Sequence, residues 1–563
     1  MTPPRRYRSN FQPGTTLWAL RKAQWQALGL ADEDMDKPKI AVVNTSSELS
    51  SCFSHLDGVA RHVKDAIRAA GGVPFEIRTA APSDFITSAG KAGRYILPSR
   101  DLIVNDIEVQ VEGAQLDGMV CLASCDKTTP GQMMAAARLN IPTLVVACGY
   151  QQSGTYQGEP IDIEDVFEKV GMYVTRKLSF EDLDGMCKRA VQGPGVCAGL
   201  GTANSMHIAC EALGLSLPGA SPVLANSPAM FEQAGRAGRR IVEMVQEGLT
   251  PDRILTPAAF ANAVRVALAL STSINVLRHL QGVAEEAGVD VDVYALFNEL
   301  GTQVPLLAAV KPNGEHRTED LEAAGGTLAT MKRLQSLLDG ETVGVTGRPL
   351  SQVLDGYQAP TPSILRTLDD PLSREPSLVI LRGSLAPEGS ILKLGNASGK
   401  AQRFRGNALV FGSQEEAIAA LAAGRIQPGT VACLRGMGPI GGPGVALASS
   451  FVAAVEGAGL NGQVAIVTDG QLSGLNRGIA VGQVCPEAAQ GGPLAWVRDG
   501  DPIEIDVAAR RIDLLVDAAE LQARQADRQA AHVPAQEHGW LDIYSRTVKP
   551  LSRGAVLIPL KTR

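Results

Sequence analysis

The stretch that most constrains this chain is Leu116–Pro130, LDGMVCLASCDKTTP. Met119–Ala123 is an unbroken apolar run and reads as a strand buried on both faces. It stops abruptly in Ser124, Cys125, Asp126, Lys127, Thr128 and Thr129. A buried strand that ends in a thiol, a carboxylate and an amine matches the C-terminal end of a strand in an open α/β sheet, the edge where such sheets bind ligands. Cys125 and Asp126 are each able to hold a metal. The same residues suit an ordinary strand-to-helix turn capped by Asp126 or Thr128. This stretch alone leaves both readings open.

The arrangement recurs along the first half. Residues 38–45, PKIAVVNT, read as a buried strand, followed by SSELSSCFSHLDG, a small-residue loop carrying Cys52 and His55, and by a helical run from Val59 to Ala70. Phe75–Arg78 reads as a strand leading into a loop that sets Asp84 among small residues, and Leu102–Gly113 as a helix. After Pro130, GQMMAAARLN is helical and IPTLVVACG is another buried strand. This alternation predicts a parallel sheet flanked by helices. Ahead of it, Thr15 or Thr16 caps an amphipathic helix ending near Gly29. The segment from Tyr150 to Leu178 is more polar and reads as peripheral.

Next comes GPGVCAGLGTANSM (193–206), which sets Cys197 between glycines, with Thr202 or Asn204 as the cap of the following helix. A Gly-rich loop before a helix can bind an anion. Here no strong strand precedes it and no Walker Lys-Ser/Thr follows, so the glycines are read as letting the backbone approach something bulky held by Cys197. Helical segments dominate from Ala225 to Leu338. The Pro-rich stretch 359–376 marks the expected boundary between an α/β domain (1–370) and a second domain (371–563). Beyond it, short Val/Ile/Leu runs broken by glycine predict a β-rich, barrel-like or sandwich architecture with a few helices. Within that domain VAIVTDGQLSG (464–474) repeats the opening logic: a buried strand ends in Thr468 and Asp469, and Ser473 follows in a glycine-flanked loop.

Bulk properties narrow the classes. At 563 residues the chain is too long for one core. A net charge of −7 with no long basic run argues against nucleic acid as a partner. No apolar run reaches the ~18 residues that would span a membrane, and the first residues lack the apolar core of a signal peptide. Nine cysteines without framework spacing suggest reduced thiols and a cytoplasmic protein.

Four motifs carry a family resemblance: SCDKTTPG (124–131), GPGVCAGLGTANSM (193–206), LVILRGSLAPEG (378–389) and TDGQLSG (468–474). Together, and in this order across nearly the whole chain, they resemble the iron–sulfur dihydroxy-acid and sugar-acid dehydratases, which include dihydroxy-acid, aldonate and phosphogluconate dehydratases. The resemblance implies an iron–sulfur cluster, [2Fe–2S] favoured over [4Fe–4S], held by Cys52, Cys125 and Cys197. Three protein ligands leave one iron position open. The other six cysteines are then structural. Cys121 in particular lies ~13 Å from Cys125 along an extended strand and reads as core. The family also binds Mg²⁺, whose ligands map to Asp84, Asp126 and Lys127, the lysine as a carbamate that turns a cation into an oxygen donor. The plain alternative for Lys127 is a salt bridge to a neighbouring carboxylate. A further glutamate ligand common in the family falls, in GGPGVALA (441–448), on Leu447.

The implied reaction removes water from a 2,3-dihydroxy acid. A Lewis-acid iron assists loss of the 3-hydroxyl, and the cation stabilises the charge that develops when C2 is deprotonated. The family's base is a serine alkoxide, which maps to Ser473; a nearby cation must lower its pKa. On its own Ser473 would read as a turn serine. Thr129, Asp469 and His55 are candidates for orienting the substrate or its surroundings, and His207 reads as a packed or surface histidine. The substrate reading leans toward a permissive enzyme for sugar acids or short dihydroxy acids, with the dihydroxy acid of branched-chain amino-acid synthesis as the alternative and phosphogluconate third. From other classes, a Rossmann-type dehydrogenase lacks its acidic partner residue, and a non-catalytic iron–sulfur sensor would need neither Ser473 nor Lys127. Family members form homodimers or homotetramers.

Overall fold

The computed structural model describes residues 7–558 apart from 175, 362–363, 376, 395–402, 443–447, 473–477 and 527–536. The first half is built on a four-stranded, all-parallel sheet: β1 (Lys39–Asn44), β2 (Val73–Arg78), β3 (Gly118–Ala123) and β4 (Thr143–Ala147), in the order β2-β1-β3-β4. β1, β3 and β4 are buried along their whole length, which is why they appear in the sequence as continuous apolar runs. β2, at the edge, is only partly covered.

Helices cover both faces. Before the sheet lies α1 (Thr16–Ala27), capped by Thr15, whose hydroxyl accepts from Trp18 N. α2 (Leu56–Ala69) starts three residues ahead of the expected Val59, and α3 (Ile96–Gly113) six residues ahead of Leu102. α4 (Thr128–Leu139) follows the opening motif and ends on the left-handed Asn140. Then come a two-stranded hairpin, β5 (Gly154–Tyr156) and β6 (Glu159–Ile161), α5 (Ile163–Val174), α6 (Thr202–Ala212), α7 (Pro228–Glu247) and α8 (Asn275–Ala287). α2 and α7 pack together against β3 and its neighbours, while α3 and α4 pair with each other and α8 packs on α4.

From β1 the chain crosses to β2 on one side; from β3 it crosses to β4 on the other. The two crossovers diverge between β1 and β3, leaving a crevice at their C-terminal ends. That is the topological switch point, where open α/β sheets bind ligands.

The second half is an eight-stranded, barrel-like sheet. Its strands are β7 (Leu378–Leu381), β8 (Gly389–Lys393), β9 (Arg403–Phe411), β10 (Thr430–Leu434), β11 (Ala465–Thr468), β12 (Ile479–Cys485), β13 (Pro502–Asp506) and β14 (Arg511–Leu514), ordered β14-β13-β9-β10-β11-β12-β8-β7. β9 to β12 run parallel, and antiparallel strands flank them. The backbone bonds Arg382 N to Arg510 O (3.0 Å) and Ile512 N to Arg382 O (3.1 Å) bring the end of β7 onto β14 and nearly close the ring. Val379, Leu381, Val431, Cys433, Val467 and Ile505 fill the interior. Alternate residues Ile380, Ile391, Ala432, Leu434 and Ile466 face outward into a core continuous with that of the first half, the period-two division expected of strands. Two helices, α9 (Gln414–Ala422) and α10 (Ser449–Gly457), connect the parallel strands.

The α2–α7 contact depends on Gly238. A Cβ there would lie 2.6 Å from Val63 O and 2.7 Å from Ala66 Cβ. Gly235, on the same helix, has only the flexible end of Arg239 nearby, at 3.7 Å. Gly238→Ala is expected to lower stability by about 1–3 kcal/mol through overpacking, whereas Gly235→Ala should be neutral or raise it by up to about 1 kcal/mol through helix propensity. Thermal melts of the two variants side by side check this.

Candidate active site

Three loops converge on the switch-point crevice, and each carries one of the three cysteines singled out above. Cys52 follows β1, Cys125 follows β3, and Cys197 lies in the Gly-rich loop ahead of α6. Local hydrogen bonds tie the loops together. Ser124 Oγ donates to Cys52 O (2.6 Å), and Gly195 N donates to Ser51 O (3.1 Å). Asn204 Nδ2 donates to both Cys197 O and Gly199 O at 2.8 Å. Asn204 and Thr202 are therefore inside α6, whose N-cap is Gly201, rather than capping it. Asn204 works instead from the first turn of the helix, holding the cysteine loop.

The three thiols line one cavity of about 360 Å³, which Asp84 and Asp126 also line. Its far wall comes from the second half, through Gln414, Ser449 and Gln471. Lys127 is fully buried beside it, with Nζ 2.8 Å from Asp84 Oδ2 and 3.8 Å from Asp126 Oδ2. Asp84 Oδ1 has no hydrogen-bond partner. Hydrogen bonding from the Cys125 thiol, against the opposing effect of burial, brings Cys52 down to about 7. Cys125 itself is pushed well up, by that same bond and then by burial, and burial does the same to Cys197. Asp126 is raised to about 8 by burial and then by the Asp84 carboxylate.

Among the described residues, no three His, Cys, Asp or Glu side chains converge on the position of a single ion. Three thiols sharing a wall without meeting at one point suit a polynuclear group, whose metals are spread by bridging atoms, better than one isolated ion. Asp84 and Asp126 offer oxygens to a hard cation, but the Lys127 amine stands against them, so a cation fits only if that amine loses its positive charge.

The other expected residues divide clearly. Thr129 is buried in the first turn of α4, and its hydroxyl donates to Ser124 O (3.0 Å), so it shapes the cysteine turn. His55 is buried, and its Nε2 meets Cys148 O at 2.6 Å; it stands behind the wall, and burial lowers its pKa. Asp469 is fully buried and accepts from Gly436 N, Met437 N and Ala488 N at 2.9–3.1 Å, tying together loops at the ends of β10, β11 and β12. None of these three lines the cavity. Cys121 is fully buried core, and His207 is packed inside, with its pKa brought by burial to about 4. Ser473 and Leu447 lie outside the described residues. The chain just before Ser473 does reach the wall: Gln471 lines the cavity, and Leu472 O accepts from Asn275 Nδ2 (3.4 Å).

The segment read as peripheral contributes directly. α5 begins where Asp162 Oδ1 accepts from Glu164 N (2.8 Å) and Asp165 N (3.1 Å), and Arg317 and Lys311 pair with Asp162. Farther along, α5 crosses α10 at a small-residue contact; a Cβ on Gly171 would sit 2.9 Å from Ala453 O. Braced in this way, α5 puts Glu164 and Phe167 into the cavity wall. The cap pattern of Asp162 signals a helix in the sequence, but nothing local signals which way that helix faces.

The chain also matches known proteins over nearly its whole length. The family model described as Dihydroxy-acid/6-phosphogluconate dehydratase N-terminal matches residues 37–353, and its C-terminal counterpart matches 363–555. The chain belongs to this dehydratase family. Among its relatives, the dihydroxy-acid dehydratase of Ignicoccus hospitalis is 42% identical, covering 96% of this chain and 98% of that one. That of Sulfurisphaera tokodaii is 40% identical over 99% and 100%, and that of Pyrococcus abyssi 40% identical over 96% and 97%. The chain is thus a hydro-lyase, a dehydratase of dihydroxy acids, and its cysteine-lined crevice is placed where such a fold binds its ligands.

One loop of the second half yields a pH test. Glu487 accepts from Ile440 N (3.1 Å) and Gly441 N (2.9 Å), and burial, then Asp469, raises it to about 8. An unfolded glutamate titrates near ~4.3. Between these values the folded chain holds a proton that the unfolded chain has released, so this group makes stability fall as pH rises. Glu487→Gln keeps an acceptor but removes the titration. Its melting temperature relative to the parent is expected to climb across pH 5 to 8 by roughly one proton's worth of linkage; parallel pH-dependent melts check this.

Proposed function

We propose that this dehydratase removes water from a 2,3-dihydroxy acid in the crevice between the parallel sheet and the barrel, using an iron–sulfur cluster held by Cys52, Cys125 and Cys197. The observation that carries this reading is the meeting of those three thiols with Asp84 and Asp126 in one cavity at the switch point, with Lys127 buried beside it. A bound cluster would supply Lewis acidity toward the departing 3-hydroxyl. The open cavity leaves room for substrate beside the thiol wall. [2Fe–2S] is the form favoured over [4Fe–4S].

Asp84 and Asp126 are assigned to a Mg²⁺ ion. Addition of CO₂ to the neutral Lys127 amine, with loss of a proton, would convert the obstructing cation into an oxygen donor between two carboxylates. The position of Lys127 Nζ, 2.8 Å from Asp84 Oδ2 and 3.8 Å from Asp126 Oδ2, supports that assignment. Ser473 is assigned as the base that takes the C2 proton. Loss of that proton and of the 3-hydroxyl yields an enol, which tautomerises to the 2-oxo-3-deoxy acid. The substrate is a free small molecule, either a sugar acid or a short dihydroxy acid. The protein is proposed to work in the cytoplasm as a homodimer or homotetramer. The bare flank of α1, which buries no residue and exposes Leu17 and Leu20, supports self-association.

The test is 2-oxo acid release by anaerobically purified, Mg²⁺-supplemented protein offered 2,3-dihydroxyisovalerate and a panel of aldonates. Ser473→Ala is expected to lower kcat by about 10²–10⁴-fold while leaving visible absorbance from the cluster in place. Cys197→Ser is expected to lose both. Cluster-bearing parent protein that releases no 2-oxo acid from any of these substrates would sink the proposal.

A further inference from the structure

Glu164 is used by nothing described so far. It lines the cavity, yet only 5% of its surface is exposed, and its Oε2 meets no hydrogen-bond donor. Among the described residues it forms no ion pair. Its neighbours Asp162 and Asp165 take up Lys311 and Arg317 instead. A buried carboxyl without a partner is costly. Here the backbone is shaped to keep one: a Cβ on Gly199 would lie 2.1 Å from Glu164 Oε2 and 2.5 Å from Oε1. The Gly-rich loop therefore admits the Glu164 carboxyl next to Cys197.

Two further cavity-lining side chains are in the same condition. Asn204 Oδ1 and Gln414 Oε1 are buried acceptors with no donor. The orientation of Asn204 is settled by its environment, since its Nδ2 already serves two carbonyls. Asn204 and Gln414 thus leave this wall short of donors, and the Glu164 carboxyl beside them suits a group that can both donate and accept, as a hydroxyl does. A 2,3-dihydroxy acid with an alkyl tail spends its two hydroxyls at the reacting carbons and offers none beyond them. A polyhydroxy acid carries further O–H groups along its tail.

We propose that Glu164 is a specificity-determining residue, which hydrogen-bonds a substrate hydroxyl beyond C3 and so selects polyhydroxy acids over alkyl-tailed ones. This rests on the dehydratase reading above and adds the substrate class to it. A site built to pair with a hydroxyl discriminates strongly against the analogue that lacks it, because its own polar group is then left unpaired.

The experiment compares kcat/KM of the cluster-bearing, full-length enzyme for a five-carbon aldonate and for 2,3-dihydroxyisovalerate. Alongside it, calorimetry measures equilibrium binding of 3-deoxy analogues of both acids, which cannot lose water. Parent protein is expected to favour the aldonate in both measurements. Glu164→Leu should move the aldonate-to-alkyl ratio toward the alkyl acid by roughly 10- to 100-fold, the cost of one unmet buried partner, mainly through KM and Kd. Glu164→Gln, which still donates and accepts, should move it less than about tenfold. If Glu164→Leu does not fold, Gly199→Ala, which displaces the carboxyl, should move the ratio in the same direction. Equal losses on both acids, an unchanged ratio, or a parent enzyme that favours the alkyl acid would overturn the assignment of Glu164. A parent enzyme that dehydrates neither acid would overturn the dehydratase reading instead.

Discussion

Two hydrogen bonds to main-chain carbonyls, Ser124 Oγ to Cys52 O and Gly195 N to Ser51 O, hold three distant segments of the chain in one wall. Each links loops that belong to different strands or precede different helices. Neither would form without the register of the parallel sheet beneath. β1 and β3 pair from Ile40 with Gly118 to Val43 with Cys121, so their ends, and the thiols that follow, emerge side by side. The hydrophobic burial of the sheet thus sets the position of the chemistry. The small polar residues of the loops only finish a placement that Val, Ile and Met side chains have already made.

Electrostatics in the crevice oppose this packing. Asp84, Asp126 and Glu164 share one cavity with three thiols, and the buried ammonium of Lys127 stands against the first two. Burial pushes Asp126 and Glu164 both to about 8. A protein left in that state gains little from the ion pair, since taking the charges out of water offsets most of their attraction. The concentration of ligand-type groups where water is scarce makes sense as a site whose charge balance is completed by what it binds. The second half supplies part of the cavity wall through Gln414, Ser449 and Gln471. Asp469, two residues before Gln471, and Glu487 pin the loops of that half by accepting from backbone N–H groups.

Much of this was legible in the sequence because buried parallel strands leave continuous apolar runs. Met119–Ala123 and Ala41–Asn44 could be read directly, and with them the positions of Cys125 and Cys52. Cys197 was legible by its glycines. What escaped was direction. Residues 150–178 are polar, which on average means a solvated surface, yet α5 turns Glu164 inward because ion pairs at Asp162 and a glycine contact at Gly171 fix its angle. Thr129, His55 and Asp469 stand near strand ends as candidates for orienting the substrate or its surroundings, and none of them lines the cavity. A sequence cannot distinguish a polar side chain that faces a cavity from one engaged elsewhere: Thr129 bonds back into its own turn, His55 meets Cys148 O, and Asp469 ties neighbouring loops together. Asn204 is not the cap because α6 begins two residues ahead of it, at Thr202, and its amide is engaged with Cys197 O and Gly199 O.

The near-closure of the second half has a consequence for how the chain must acquire its shape. The bonds that seat the end of β7 on β14 join residues about 130 positions apart. Until Arg511 and Ile512 have left the ribosome, β7 remains an open strand edge with apolar side chains on both faces. Such edges recruit any extended segment within reach. The parallel sheet of the first half depends on later sequence only as far as α7, because its four strands all lie before residue 148 and α7 covers them by residue 247. Synthesis therefore presents a first half that carries all three thiols to a partner half that can only close last.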